Sequence, residues 1–215
     1  MALRTDNQTR NDQINIRKAR PSDLDVMKKV MARAYEEEPY TLYVVLQDER
    51  RIERAEKMIE IVLKYYVMKY DHVFVPEQVN AVAMWYPPEP QNSWKSSKLR
   101  DFSLMHKAIS VAGVRRVPSL IHADGIIKEH HLKNMKEPHY YLFMLGVEPA
   151  HQGKGIGTRL VQHGLNMCDG QGVPAYLETA EEENVRFYEK HNFKVIDEFL
   201  IPHNGPKIWT MIYEP

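Results

Sequence analysis

The chain has 215 residues, 43% of them hydrophobic, with 29 Lys+Arg against 29 Asp+Glu, so its formal net charge is zero. That length suits one large domain with a substantial core, and the neutral balance argues against nucleic acid as a partner, because displacing counterions takes a basic footprint. The single cysteine, Cys168, excludes an intramolecular disulfide, and the polar start has no apolar signal segment. With no apolar run near the ~20 residues that span a bilayer, the expectation is a cytoplasmic protein away from membranes.

Residues 1–12 are polar and are expected to form a disordered tail before one domain over 13–215. The alternation in INIRKA predicts a strand. Ser22, with Asp25 three residues on, predicts an N-cap for SDLDVMKKVMARAY, whose stripe is Leu24, Met27, Val30 and Met31. Pro39 interrupts the connector EEEPYTLYVVL, which has some helical content. A long helix is expected from Asp48 to Tyr70, with Ile52, Ala55, Ile59, Val62, Leu63 and Tyr66 on one side. HVFVP and VNAVAMWYPP read as a hairpin pair ended by Pro87 and Pro88, with Trp85 and Tyr86 as core residues. Helical stretches over 97–113 and 118–133 make 89–137 an insertion within the domain. HYYLFMLGV has little alternation, so it is a central strand covered on both faces. A glycine loop and a helix to about Asp169 follow, then the buried strand GVPAYLET, a short helix in EEENVRFYEKH, and the closing strands FKVIDEFLI and KIWTMIYE. The result is an α/β fold: a mixed sheet flanked by helices on both faces, with a helical insertion before the central strand.

The loop VEPAHQGKGIG joins that central strand to a helix N-terminus, where unpaired N–H groups and the helix dipole favour an anion. Gly153, Gly155 and Gly157 do not make G-x-G-x-x-G, and Lys154 does not stand where a P-loop needs its lysine. The spacing that fits is Q-x-x-G-x-G, from Gln152 to Gly157, and it reads as a phosphate cradle.

This loop resembles the coenzyme A loop of the GNAT superfamily of acetyltransferases. IRKARPSDLDVM, AVAMWYPPEP, VPAYLET, VRFYEKHNF and GPKIWTM occur in the same order as in puromycin N-acetyltransferase and its relatives, so the resemblance spans most of the chain. It implies about seven strands, two of them parallel and splayed, with acetyl-CoA in the cleft as co-substrate. The pantetheine arm would then pair with the strand edge near Leu145 and Val147, where backbone N–H would also serve an oxyanion. The diphosphate would take N–H groups from Gln152, Gly153, Lys154, Gly155, Ile156, Gly157 and Thr158. Asn184 matches a position that bonds the coenzyme arm, although a polar residue at a helix start is the alternative.

Acetyl transfer to an amine needs a base for the ammonium proton and an acid for the departing thiolate. Tyr188 matches the family's tyrosine near the sulfur, with an aromatic packing role as the alternative. Glu178 is the candidate base, directly or through a water; the alternative is a carboxylate satisfied by its neighbours. Where the family has glycine before the phenylalanine of YEKHNF, Asn192 stands, and asparagine tolerates the left-handed cap best of the other residues. The acceptor rim is expected at Glu36, Glu38 and Tyr40, where acidic and aromatic groups would draw in a cationic amine, although a charge run at a helix end also reads as a solvated face. The run Glu129, His130, His131 lacks ligand spacing on one helical face, so no metal is expected. The reading is an acetyl-CoA-dependent N-acetyltransferase of a small primary amine, as a monomer or homodimer. A protein or peptide amine as acceptor and a non-catalytic acyl-CoA-binding module are the competing readings.

Overall fold

A computed structural model describes residues 14–64, 71–88 and 102–215. The expected tail, residues 65–70 of the expected long helix with Tyr66, and 89–101 of the insertion lie outside the described residues. The seven strands are β1 (Ile16–Lys18), β2 (Val73–Pro76), β3 (Ala81–Tyr86), β4 (Tyr140–Val147), β5 (Ala175–Thr179), β6 (Lys194–Leu200) and β7 (Lys207–Tyr213). They form one sheet in the order β1-β2-β3-β4-β5-β7-β6. Neighbours run antiparallel except β4 and β5, which are parallel.

Helices cover both faces of the sheet, so β3 is buried at every position. Its alternation divides it between two cores. Trp85 and Leu142 meet Leu160, Val161 and Leu165 of α6 (Ile156–Gln171) and Val185 of α7 (Glu182–Glu189). Val82 and Met84 meet Met27 and Met31 of α1 (Leu24–Ala34) and Ile59 of α3 (Arg51–Val62). Cys168 lies in the first core, and burial pushes its thiol up to about 12, as an inert buried thiol requires. Asn192 adopts φ +63°, the left-handed cap expected of it.

Two local expectations are corrected. Ser22 does not cap α1: residues Pro21–Asp23 form a 3-10 turn, and the Asp23 carboxylate is taken by the Arg20 N–H and the Arg17 guanidinium, both at 2.7 Å. α3 begins at Arg51, and Ile52, placed on its apolar side, is 53% exposed. The helical content expected of the connector is α2 (Pro39–Val44).

The insertion contributes α4 (Phe102–Ala112) and α5 (Val117–Asn134). Val111 packs with Ala55 and Val45, and α5 reaches the far edge of the sheet through Asp197 on β6. Asp197 accepts from His130 Nδ1 at 2.9 Å, Asn134 Nδ2 at 3.1 Å and Lys133 Nζ at 3.2 Å. The His130 hydrogen bond chiefly holds its carboxyl well below the usual range. A lowered carboxyl pKa stabilises the fold above the unfolded value and loses that contribution as pH falls. Asp197→Asn should therefore cost roughly 1 kcal/mol at pH 7, the scale of a partly exposed charged contact, and less towards pH 2. Urea melts of both chains at pH 7 and pH 3 check this: an unchanged difference removes the carboxylate from the account.

Candidate active site

The ladder between β4 and β5 stops early. Tyr140, Tyr141 and Leu142 pair with Ala175, Tyr176 and Leu177, and the two strands then continue to Val147 and Thr179 without further pairing. The cause lies on the other side of β4. Met84 faces Met144 but Trp85 faces Leu142, which leaves Phe143 as an extra residue. Such a bulge bends its strand and raises its twist. β4 thus turns away from β5 and leaves its edge open.

Beyond that opening, Pro149–His151 form a 3-10 turn, and the chain enters α6 through Gly153 at φ +73° and Gly155 at φ +79°. A side chain at either would be strained, and Gly155, as N-cap, has no side chain to satisfy the first-turn N–H groups. Gln152 Nε2 donates back to the Val147 carbonyl at 3.2 Å, and Lys154 Nζ to the Ala150 carbonyl at 2.8 Å. Those two side chains brace the loop, so what it offers a ligand is backbone. Gly157 lies where a Cβ would stand 3.5 Å from both Val147 Cγ2 and Phe187 Cζ, at the meeting of β4 and α7. Ile156 is buried in the α6 core, and Thr158 is half-buried behind it.

The exposed edge of β4 holds a residue that the sequence does not single out. Tyr35, just past α1, accepts the Leu145 N–H at its hydroxyl and donates to the Leu145 carbonyl, each at 3.1 Å. The group expected for the coenzyme arm and the oxyanion is therefore held by a phenol. Burial first, then proximity to Tyr188 and Glu38, raises the Tyr35 pKa well above its ordinary value, so the hydroxyl stays protonated. Tyr35 ends the predicted helix, but nothing local tells which strand edge a residue 110 positions away will bind.

Tyr188 and Glu178 flank the opening from opposite faces of the sheet. Tyr188, on α7, is buried in the core with Leu177, edge-on to Phe187 and Phe193. Burial, then the charge of Glu181, pushes its phenol up, and its hydroxyl has no hydrogen-bond partner among the described residues. Glu178 alternates to the other side with Tyr176. Both its carboxylate oxygens are buried; His131 Nδ1 of α5 lies 3.5 Å from Oε1, and the Tyr141 and Tyr176 phenols lie close by without a hydrogen bond of normal length and angle. Asn184 gives its amide to Glu181 Oε2 at 2.7 Å.

The acidic rim has structural duties. Glu36 pairs with Arg51 at 2.8 Å, and Glu38 caps α2 by accepting the Tyr40 and Thr41 N–H groups at 3.1 and 2.6 Å. Tyr40 is half-buried; desolvation chiefly raises its pKa, and it feels the charges of Asp124 and Glu178. A cavity of about 470 Å³ opens beside it, away from the glycine loop, between Pro39 and Tyr43 of α2, Arg116 and Ser119 of the insertion, and the β6–β7 turn at His203. The insertion thus forms one wall of that cavity. No described helix is long and apolar enough to cross a membrane.

Comparison with known proteins places this geometry. The chain is 33% identical over 86 residues to an uncharacterized N-acetyltransferase of Schizosaccharomyces pombe, covering 39% of this chain and 35% of that one. It is 30% identical over 71 residues to N-alpha-acetyltransferase 50 of Danio rerio, covering 31% and 41%. The matches thus span well under half the length of these curated relatives. Among solved structures, a Corynebacterium glutamicum protein described as a histone acetyltransferase and related acetyltransferase superposes with a TM-score of 0.69 at 17% identity, over 94% of this chain and 96% of that one. An agmatine N-acetyltransferase superposes at 0.66 with 16% identity, over 94% and 100%. The model of the acetyltransferase (GNAT) family matches residues 79–193, from the start of β3 through the loop and α7. Matched over more than half its length, the chain belongs to the GNAT acetyltransferase family.

Proposed function

We propose that the protein moves an acetyl group from acetyl-CoA to a primary amine of a small molecule by direct attack in a ternary complex. The observation that carries this reading is the parting of β4 from β5 directly above a loop of uncapped helix N–H groups. The loop from Gln152 to Thr158 fits a diphosphate, because two of its glycines hold positive φ and its charged side chain is turned back on the backbone. Acetyl-CoA supplies the acyl thioester. Tyr188, protonated and without a partner among the described residues, gives its proton to the leaving sulfur. Glu178 takes the acceptor's proton, and because both its oxygens are buried, that proton reaches it through a water rather than by contact. Tyr35 must release Leu145 for the open edge to receive the arm of the co-substrate.

The small-molecule acceptor is supported by the size of the cavity between α2, the insertion and the β6–β7 turn, about 470 Å³, which is in the range of small-ligand pockets. Structural neighbours include an agmatine N-acetyltransferase and a Drosophila melanogaster polyamine N-acetyltransferase, which agree with an amine acceptor.

Gly155→Val tests the reading. A β-branched residue at φ +79° is strained by ~1–2 kcal/mol, and relieving that strain shifts the loop that presents the N–H groups. Calorimetry should show acetyl-CoA bound tenfold or more weakly than by the parent chain, with the same enzyme releasing thiol only in the presence of an amine. A parent chain that gives no heat with acetyl-CoA overturns the proposal.

A further inference from the structure

Behind Glu178 runs a line of imidazoles that the proposed function leaves unused. His131 Nε2 lies 2.7 Å from His139 Nε2, and His139 Nδ1 lies 2.8 Å from the Glu137 carbonyl. A carbonyl can only accept, so His139 carries a proton on Nδ1. Burial pushes His139 down to about 4, so near neutral pH that is its only ring proton, and Nε2 is a bare acceptor. His131 must then carry its proton on Nε2 to make the 2.7 Å contact. Its Nδ1, which that tautomer leaves with a lone pair, faces Glu178 Oε1 at 3.5 Å.

The surroundings favour that site for the proton. The Glu178 carboxylate is buried with no hydrogen bond of normal geometry at either oxygen, which is costly for an anion, and His131 is its ion-pairing partner among the described residues. Tyr141 of β4 and Tyr176 of β5 lie against His131 with ring centroids at 4.9 and 4.3 Å; burial, then the nearby Glu178 carboxylate as charge and hydrogen-bond acceptor, pushes both phenols up, so both stay protonated and neither takes the proton from Glu178. Tyr40 feels the charges of both Asp124 and Glu178, while His130 and Lys133 of α5 turn to Asp197 instead.

We infer that His131 holds the proton that Glu178 takes from the acceptor amine, and that His139, anchored on the Glu137 carbonyl, fixes His131 in the tautomer able to take it. The inference rests on Glu178 acting as the base. An N–H bond of the ammonium breaks and an O–H bond forms, by way of the water, on Glu178. That O–H then breaks and an N–H forms at His131 Nδ1, leaving carboxylate beside imidazolium. When the proton is lost to solvent, the pair is ready again. His131 and His139 are positioning residues, since neither touches the acceptor.

Two measurements on the full chain test this. Long-range 1H–15N spectra of the 15N-histidine-labelled protein at pH 7 should show His139 neutral with its proton on Nδ1; a proton on Nε2, or a charged ring, overturns the tautomer argument without recourse to any variant. The pH profile of kcat should rise with a single apparent limb that belongs to the pair. His131→Gln removes the second resting place for the proton. The limb should then move about one pH unit or more towards acid, kcat should fall about tenfold or more, and the KM for acetyl-CoA should hold. His139→Gln should give a smaller shift in the same direction. Glu178→Gln should flatten the limb altogether. If Glu178→Gln flattens it while His131→Gln leaves it in place, the relay is wrong and the base stands; if Glu178→Gln keeps the parent profile, the base and the relay fall together.

Discussion

Tyr188→Phe is expected to lower kcat by about 10²-fold or more, the usual reach of a positioned general acid, while acetyl-CoA affinity changes less than about twofold. The contrast follows from what the hydroxyl does in the fold. It has no hydrogen-bond partner among the described residues, so its removal strands nothing. The ring keeps its edge-on contacts with Phe187 and Phe193 at centroid distances of 5.1 and 5.7 Å, so the melting temperature should hold as well. The loss then falls on the chemical step alone. The pH dependence has a defined sign. The active form is the protonated phenol, whose pKa burial raises above the ordinary ~10, so any decline of kcat from this group lies at higher pH still. Thiol release followed from pH 7 to 10 at saturating amine checks both points. Full turnover in the Phe variant would assign Tyr188 to packing only.

The frame of this molecule was legible wherever a local pattern answers to a local cause. The alternation of VNAVAMWY and the near-continuous apolar run of HYYLFMLGV gave strands because β3 and the start of β4 are covered on both faces. The glycines at 153 and 155 gave the loop because positive φ is a backbone demand that sequence displays directly. What stayed hidden depends on distance along the chain. Ser22 has the composition of a cap, yet Asp23 wins the position because Arg17, on the preceding strand, reaches it. Glu38 looked like part of a charged rim, and its oxygens cap α2 instead, in a helix whose six residues give too little periodicity to announce it. Tyr35 closes the edge at Leu145, and His131 meets His139 only because α5 ends where a short connector returns the chain to β4. Functional residue types were visible; their partners were set by the bulge at Phe143 and by where the insertion docks on the sheet, and neither the bulge nor that docking has a sequence signal of its own.

Gly164→Ala is a case where propensity and packing point in opposite directions. Glycine inside a helix costs about 1 kcal/mol relative to alanine, so on propensity alone the change should stabilise α6. A Cβ at 164, however, would stand 2.1 Å from Cζ2 and 2.4 Å from Cε2 of Trp85. Trp85 is fully buried on β3 and cannot swing away as a long aliphatic chain would. Overpacking at such a site costs typically ~1–3 kcal/mol, which outweighs the gain, and the melting temperature should fall by roughly 2–4 °C for each net kcal/mol. The same helix carries the glycine loop at its N-terminus, so pushing α6 off the sheet also displaces the N–H groups proposed to hold the diphosphate. Acetyl-CoA should therefore bind several-fold more weakly. The decisive measurement is a double-mutant cycle with Trp85→Phe, whose smaller ring makes room for the methyl group. The two substitutions together should be more stable than the sum of their separate costs, and acetyl-CoA affinity should recover in step. Simple additivity would mean that the close approach of α6 to β3 is not what fixes the loop above the opening between β4 and β5.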